Sequence, residues 1–173
     1  MTLPKGDQNY AIAFDAMDLS RDQQKGIFLY GQPGTGKSYL ASALMNSYAS
    51  KGLQVSFVKV AQLIQELKQN IKDSEFRQKT MHALQKSDVL VLDDIGSEAV
   101  TAWTRDEILF PILDYRMSKK KKTYFTSNYK PEELMENYLL SSQKNGMVSV
   151  QRLMERIRTL SLPVELAGKS RRN

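Results

Sequence analysis

Short apolar runs alternate along this chain with longer stretches in which apolar residues recur every three or four positions. One run, SDVLVLDD at 87–94, is apolar at successive positions, as expected of a strand that is covered on both faces in the middle of a parallel sheet. Runs of this kind predict five strands. They are GIFLYG (26–31), LQVSFVKV (53–60), SDVLVLDD (87–94), KTYFTSN (122–128) and SLPVEL (161–166).

Helical spacing fills the intervals between these runs, and the order of the elements predicts the fold class. Residues 1–25 are polar apart from AIAFDAMDL, and we interpret them as an approach segment with one short helix. Strands that alternate with helices predict an α/β fold, a three-layer αβα sandwich around a mostly parallel five-stranded sheet. The predicted helices follow residue 36 and occupy 63–71, 76–84, 101–117, 131–139 and 148–160.

Composition narrows the range of possible functions. The chain has 173 residues, no cysteine and one histidine, His82. A chain without cysteine has no disulfides and no thiolate metal site, and we expect a cytoplasmic location. No apolar run approaches the roughly 20 residues of a membrane span, so we expect no membrane association. The net charge of +6 suits contact with nucleic acid or an acidic protein but identifies neither.

The segment GQPGTGKS, between the first predicted strand and the next helix, has the spacing G-x-x-x-x-G-K-[ST]. Gly34 and Gly36 allow backbone angles that other residues avoid, so that successive N–H groups can point at phosphate oxygens. Lys37 would reach the terminal phosphates, and the Ser38 hydroxyl would bind Mg²⁺. We therefore predict a nucleotide-binding loop made of Gly31, Gln32, Pro33, Gly34, Thr35, Gly36, Lys37, Ser38 and Tyr39.

The sequence VLVLDDIG places two acids, Asp93 and Asp94, at the end of the third predicted strand. The Asp93 carboxylate would hold Mg²⁺ together with Ser38. Asp94 stands where a hydrolytic ATPase carries an acid that orients or deprotonates the attacking water. Many such enzymes have a glutamate there, which is one methylene longer. Three alternatives therefore stay open: Asp94 acts from closer in, Glu98 assists it, or hydrolysis is slow.

Two further elements would complete a catalytic site. Asn128 ends the strand YFTSN, and its amide would hold the attacking water between Asp94 and the γ-phosphate. In QRLMERIRTL, Arg152 and Arg156 share one face of a helix. An outward arginine there can reach the γ-phosphate bound by a neighbouring subunit, or it pairs with Glu155 or with solvent.

Two groups of residues outside these motifs have two interpretations each. Tyr10 and Phe14 either flank the adenine base or belong to the core. The lysine run SKKKKT (118–123) either touches nucleic-acid phosphates or, as we favour, forms a solvated turn.

Taken in order, GQPGTGKS, VLVLDDIG, YFTSN and RLMERI resemble the AAA+ domain of bacterial helicase loaders of the DnaC/DnaI type, and so does the ending SLPVELAGKSRR. The resemblance covers about residues 10 to 173. It implies that residues 31–38 are the Walker A loop and Asp93–Asp94 the Walker B acids. It also implies that Asn128 is sensor 1 and Arg156 an arginine finger that acts between subunits, which would require self-association. No sizeable C-terminal lid fits, so Arg171 and Arg172 are left as substitutes for a sensor 2 arginine.

The resemblance also implies a function. It predicts an ATP-binding and ATP-hydrolysing, Mg²⁺-dependent domain of a replicative helicase loader, acting in primosome assembly on single-stranded DNA. Loaders of this type bind the helicase mainly through an N-terminal domain that this chain lacks. Residues 1–25 would then be an approach segment and 26–173 the AAA+ core, as the C-terminal domain of a longer protein.

Two other functions stay open, an ATP-binding transposition helper of the IstB type and a nucleotide switch with little turnover. A small-molecule kinase is disfavoured because no arginine-rich lid is present. A GTPase is disfavoured because NYKP at 128–131 is not an N-K-x-D guanine signature.

Overall fold

The computed structural model describes residues 7–142 and 146–172, so residues 1–6 of the predicted approach segment and residue 173 lie outside it. All five predicted strands are present and form one sheet in the order β2-β3-β4-β1-β5. Every neighbouring pair is parallel, which confirms the predicted α/β class. The strands are β1 Gly26–Tyr30, β2 Val55–Lys59, β3 Val89–Asp93, β4 Lys122–Ser127 and β5 Ser161–Glu165.

Seven α-helices accompany the sheet within the described ranges. The predicted helix over 101–117 is present in two parts, a π-helical segment, Trp103–Leu109, that continues into the α-helix Phe110–Ser118. Because Pro111 has no N–H to close an α-type hydrogen bond, the irregular turn lies on its N-terminal side. The helices are α1 Gln8–Leu19, α2 Lys37–Ala49, α3 Val60–Gln69, α4 Ser74–Lys86, α5 Phe110–Ser118, α6 Pro131–Leu140 and α7 Met147–Leu160.

Side-chain alternation along the strands builds two cores, one on each face of the sheet. Ile27 and Leu29 of β1 point towards α1 and α2, where they join a buried cluster with Val89 and Val91. Phe28 points to the opposite face, in the cluster that buries residues of α3, α4, α5, α6 and α7. The arrangement is the predicted αβα sandwich. Helix α1 is part of the first cluster, since Tyr10, Ala13 and Met17 are buried there.

Strand order decides which loops meet. Strand β4 lies between β1 and β3, so the loops that follow β1, β3 and β4 all emerge at the carboxyl edge of the sheet. Ligands of open α/β sheets bind in the crevice at this edge. After β5, residues 166–172 contain no helix. Over the described ranges, no helix combines the length and the apolar character needed to cross a membrane.

Candidate nucleotide-binding site

A cleft of about 540 Å³ opens at the carboxyl edge of the sheet. The structure brings most of the predicted site residues together in it: six of the nine phosphate-loop residues, both acids and the asparagine. The loop residues Gly31, Gln32 and Thr35 do not line the cleft. The lining residues are Tyr10, Pro33, Gly34, Gly36, Lys37, Ser38, Tyr39, Lys59, Asp93, Asp94, Thr126, Asn128, Arg171 and Arg172.

The loop between β1 and α2 has the backbone geometry that the glycines predict. Gly34 has φ +81° and Gly36 φ +99°, which are angles that side chains disfavour. Gly36 is also the N-cap of α2, and no side chain of residues 7–142 or 146–172 caps that helix. The first N–H groups of α2 therefore remain available to an anion at the positive end of the helix.

Lys37 lies folded within the loop. Its ammonium donates hydrogen bonds to the carbonyl oxygens of Gly31 and Gln32, both at 2.8 Å. The side chain is 7% exposed, and burial lowers the pKa of Lys37, an effect that the nearby carboxylates of Asp94 and Asp93 oppose. Lys37 thus places a cation of the phosphate loop close to the carboxylates of Asp93 and Asp94.

Ser38 and Asp93 are in direct contact. The serine Oγ donates to Asp93 Oδ1 at 2.8 Å, and Thr126 Oγ1 donates to the same oxygen at 2.6 Å. The other carboxylate oxygen, Oδ2, is buried and has no hydrogen-bond partner among the described residues. An unpartnered carboxylate oxygen beside a serine hydroxyl fits the oxygen ligands that Mg²⁺ prefers.

Asp94 and Asn128 follow β3 and β4 and line the same cleft. The backbone N–H of Asp94 donates to Thr126 Oγ1 at 2.8 Å. Asp94 has φ +56°, a left-handed angle that is uncommon outside glycine and often occurs at functional sites. The geometry therefore puts an acid and an amide on the wall that faces the phosphate loop.

Glu98, the alternative partner of the water, lies behind this wall. It is 5% exposed, and its carboxylate accepts hydrogen bonds from the Gly96 N–H and the Tyr138 hydroxyl. Of the two acids, Asp94 is the one in the cleft.

Arg156 lies on α7, outside the cleft, and pairs within its own chain. Its Nε and a terminal nitrogen are each 3.0 Å from Asp114 Oδ1, and the other terminal nitrogen is 3.0 Å from Glu155 Oε2. The guanidiniums of Arg156 and Arg152 also lie over the Phe110 ring, 5.1 and 4.6 Å from its centre. The pairing with Glu155, one of the alternatives, is therefore present.

The C-terminal tail, residues 166–172, runs across the phosphate loop. The Arg171 N–H donates to the Gly34 carbonyl at 2.7 Å. Its guanidinium donates to the Thr35 carbonyl and to the Asp7 carboxylate, and it stacks 4.6 Å from the centre of the Tyr10 ring. Tyr10 thus belongs to the site as well as to the core.

Phe14, unlike Tyr10, does not line the cleft. It packs against the buried cluster and faces a separate hollow with Met17 and Leu40, which fits the core interpretation. Lys59 and Thr126 line the cleft although neither was singled out from the sequence. Lys59 ends β2, and a polar residue at the carboxyl end of a predicted parallel strand is the feature that would have indicated it.

The parallel sheet in this order, with the phosphate loop and the acid pair at its carboxyl edge, defines a P-loop domain of the AAA+ class. The particular group follows from the sequence. The chain belongs to the family of IstB-like ATP binding proteins, whose family model matches residues 6–172.

Helicase loaders are among its relatives. The chain is 38% identical over 150 residues to the replicative helicase loader DnaI of Bacillus subtilis, matching 86% of this chain and 48% of that protein. It therefore spans about half the length of this relative. A crystal structure of DnaI superposes with a TM-score of 0.80 at 35% identity, covering 95% of this chain and 87% of the other. A structure of the DnaC helicase loader gives 0.72 at 26% identity, covering 95% and 93%.

Proposed function

We propose that this chain is the ATP-binding and ATP-hydrolysing AAA+ core of a replicative helicase loader, which acts in primosome assembly on single-stranded DNA. The observation that carries the enzymatic part is the contact between Ser38 of the phosphate loop and Asp93 of the acid pair, with Asp94 and Asn128 in the same cleft. The similarity to DnaI and DnaC supports the biological part.

Phosphate binding would use the backbone of the loop 31–39 and the side chain of Lys37. The N–H groups at the start of α2 would donate hydrogen bonds to phosphate oxygens, with the positive end of the helix adding to the attraction. The Lys37 ammonium now bonds two loop carbonyls, and its flexible stem lets it exchange them for phosphate oxygens.

Ser38 and Asp93 would hold Mg²⁺ beside those phosphates. The metal supplies positive charge that neutralises the phosphate oxygens. Asp94 would orient the attacking water and accept its proton, while the Asn128 amide holds that water towards the γ-phosphate. The bond between the γ-phosphorus and its bridging oxygen breaks as the water oxygen attacks, which yields ADP and phosphate.

Arg156 would complete the site of a neighbouring subunit. In a single chain it pairs with Asp114, which is 46% exposed, so a γ-phosphate in an assembled complex would compete with an accessible carboxylate. Self-association, the replicative helicase and single-stranded DNA are the proposed partners. Because the chain spans 48% of the length of DnaI, we place the main helicase contacts in an N-terminal domain of a longer, cytoplasmic protein.

The test is a pair of lysine variants. Lys37→Ala should weaken binding of a fluorescent ATP analogue by about a hundredfold or more, since a charge-assisted contact to phosphate is lost. Lys51→Ala removes an exposed lysine just beyond α2 and should bind like the parent chain. Tight binding by Lys37→Ala would contradict the site. The rate at which the parent chain hydrolyses ATP, followed as ADP released, should then be measured with and without single-stranded DNA and helicase.

Family membership favours a second candidate, an IstB-type transposition helper. Stimulation of ADP release by a replicative helicase, and not by a transposase, would decide for the loader. Tight nucleotide binding with no ADP release under any of these conditions would instead indicate a nucleotide switch.

A further inference from the structure

The turn after the acid pair is held in an unfavourable backbone conformation. Asp94 has φ +56° and Gly96 φ +101°, so two residues of this short turn are left-handed. A side chain at position 96 would lie 2.8 Å from atoms of both Tyr129 and Leu134. Such a conformation persists only where the surroundings impose it.

Neighbouring strand residues supply part of that support. The Ile95 N–H donates to the Thr126 carbonyl at 2.9 Å, and Ser127 Oγ donates to the Ile95 carbonyl at 2.7 Å. Ser97 Oγ donates to the Asp94 carbonyl at 2.7 Å. These bonds fix the start of the turn to β4 but leave the Gly96 N–H to another acceptor.

That acceptor is Glu98. One carboxylate oxygen accepts the Gly96 N–H at 2.6 Å, and the other accepts the hydroxyl of Tyr138 on α6. Both side chains are buried, at 5% and 0% exposure, and no ion pair with Glu98 occurs among the described residues. Burial raises the pKa of Glu98 and also that of Tyr138. Burying a carboxyl group away from water costs free energy unless the group is hydrogen-bonded. The two hydrogen bonds of Glu98 offset part of this cost and fix the position of its side chain.

The Tyr138 end of this bridge is itself anchored. Its carbonyl accepts Ser142 Oγ at 2.6 Å, and Arg105 donates to the same serine oxygen at 2.6 Å. Arg105 is 4% exposed and forms a two-bond pair with Asp106. The turn is therefore attached, through Glu98, to a rigid part of α6 and to the π-helical segment.

We infer that Glu98 is a positioning residue for Asp94: by holding the Gly96 N–H and the Tyr138 hydroxyl together, it keeps the turn in the conformation that directs the Asp94 carboxylate into the cleft. The inference rests on the proposed function, because it assigns Asp94 to hydrolysis. Glu98 itself touches neither the cleft nor the reacting atoms.

The kinetic test compares Glu98→Ala with Glu98→Gln. The alanine variant should lower the single-turnover rate of ATP hydrolysis by about tenfold or more, because a small displacement of a catalytic group is enough for such a loss. Its nucleotide affinity should stay within about twofold of the parent, since the phosphate loop is untouched. The glutamine variant keeps an oxygen for Gly96 and should retain most of the rate. Glu136→Ala removes an exposed acid from α6 and is the matched control.

A spectroscopic test isolates the bridge from the reaction. The chain has nine glycines, so a sample labelled with ¹⁵N-glycine gives a simple spectrum. In Glu98→Ala, the loss of the carboxylate should move the Gly96 amide resonance and speed its hydrogen exchange. Glu98→Gln should shift the Gly96 resonance less than Glu98→Ala does. Tyr138→Phe should also shift this resonance, and its loss of hydrolysis rate should lie between those of the two Glu98 variants. If Glu98→Ala does not fold, Tyr138→Phe decides alone.

An unmoved Gly96 resonance, or a parent-like hydrolysis rate in Glu98→Ala, would overturn the inference. If the parent chain itself releases no ADP, the proposed function fails. The inference is then decided by the amide resonances of Gly96 and Asp94 in a uniformly ¹⁵N-labelled sample, and both must move in Glu98→Ala.

Discussion

Thr126 Oγ1 donates a hydrogen bond to Asp93 Oδ1 at 2.6 Å and accepts the backbone N–H of Asp94 at 2.8 Å. One hydroxyl on β4 therefore orients both acids that follow β3. It can do so because β4 lies between the strand of the acids and the strand of the phosphate loop. Thr126 is 1% exposed, so its hydroxyl makes both bonds at a buried position.

Thr126→Val should impair the site and the fold together. Valine has nearly the shape of threonine but leaves the Asp94 N–H without a partner in the protein, which we expect to cost about 1 to 3 kcal/mol of unfolding free energy. ATP hydrolysis should fall because Asp93 and Asp94 lose their common anchor. Urea unfolding and ADP release measure the two effects. Thr126→Ser keeps the hydroxyl and should retain most of the stability and most of the hydrolysis rate. Equal losses in the serine and valine variants would contradict this explanation.

Arg116→Met should destabilise the chain without weakening nucleotide binding. Arg116 is fully buried, and its guanidinium donates to the carbonyls of Leu84, Ser87 and Lys122 at 2.7 to 2.9 Å. Burial lowers the pKa of Arg116 to about 10, and no carboxylate among the described residues forms an ion pair with it.

Removing those donors leaves several buried carbonyls unpaired, so we expect a loss of about 3 kcal/mol or more in urea unfolding. Arg77→Ala, which removes an exposed arginine of α4, should change stability by less than about 0.5 kcal/mol. A small effect of Arg116→Met would mean that water can replace the guanidinium.

Arg171→Ala should weaken nucleotide binding. Arg171 joins the Thr35 carbonyl of the loop to the Asp7 carboxylate at the start of α1, so its loss frees the loop on one side. We expect a loss of affinity of about tenfold in a fluorescent-nucleotide titration, the size of one charge-assisted contact. Lys169→Ala removes an exposed cation from the same tail and should bind normally. Unchanged affinity in Arg171→Ala would show that the tail does not support the loop.

Glu98→Gln should change how stability depends on pH. The pKa of Glu98 is raised in the folded chain by burial, so between the unfolded and the folded pKa the folded state binds the extra proton. This contribution to stability is complete below the unfolded pKa and is lost as pH rises through the folded pKa. Thermal melts from about pH 5 to pH 8 should therefore show the stability of the parent falling, relative to Glu98→Gln, as pH rises. Parallel curves would mean that the carboxyl titrates alike in both states.

Arg156→Ala should slow hydrolysis in an assembled sample while leaving nucleotide affinity nearly unchanged. The reason is that an arginine finger meets charge that develops in the transition state of a neighbour. Arg158→Ala, two residues on in the same helix and exposed, is the control. A dilution series separates the two variants further, because the Arg156 effect should vanish once the chain is monomeric. Equal rates for both variants at high concentration would refute the assignment.

The local motifs could be predicted because each depends on a few adjacent residues. The phosphate loop lies between a short apolar run and a helical pattern in one stretch of sequence, and Asp93 and Asp94 end a short apolar run whose length favours a buried strand. Thr126 could not be predicted, since its role depends on β4 being inserted between β1 and β3, and a residue pattern does not give strand order. The same holds for the tail, whose path over the loop is set by its pairing with Asp7.

The lysine run at 118–123 is a second case in which the residue pattern alone does not give the contacts. We favoured a solvated turn for 118–123, and Lys119 and Lys120 are indeed exposed. Lys121, however, donates to the Lys86 carbonyl at 2.9 Å, and Lys122 donates to the carbonyl oxygens of Ser20 and Arg21. Two of the four lysines therefore bind ends of other elements, and only the tertiary structure distinguishes them from their neighbours.

The contact between Asp7 and Arg171 has a practical consequence for protein engineering. A purification tag attached directly after Arg172 would begin beside the phosphate loop, because Arg172 lines the cleft, and it can block the cleft there. The same proximity makes the fold suited to circular permutation, in which a short linker joins residues 7 and 171. New ends could open at Gly52, an exposed turn where an added side chain meets nothing within 4 Å. Such a permutant would keep the tail seated on the loop by covalent connection.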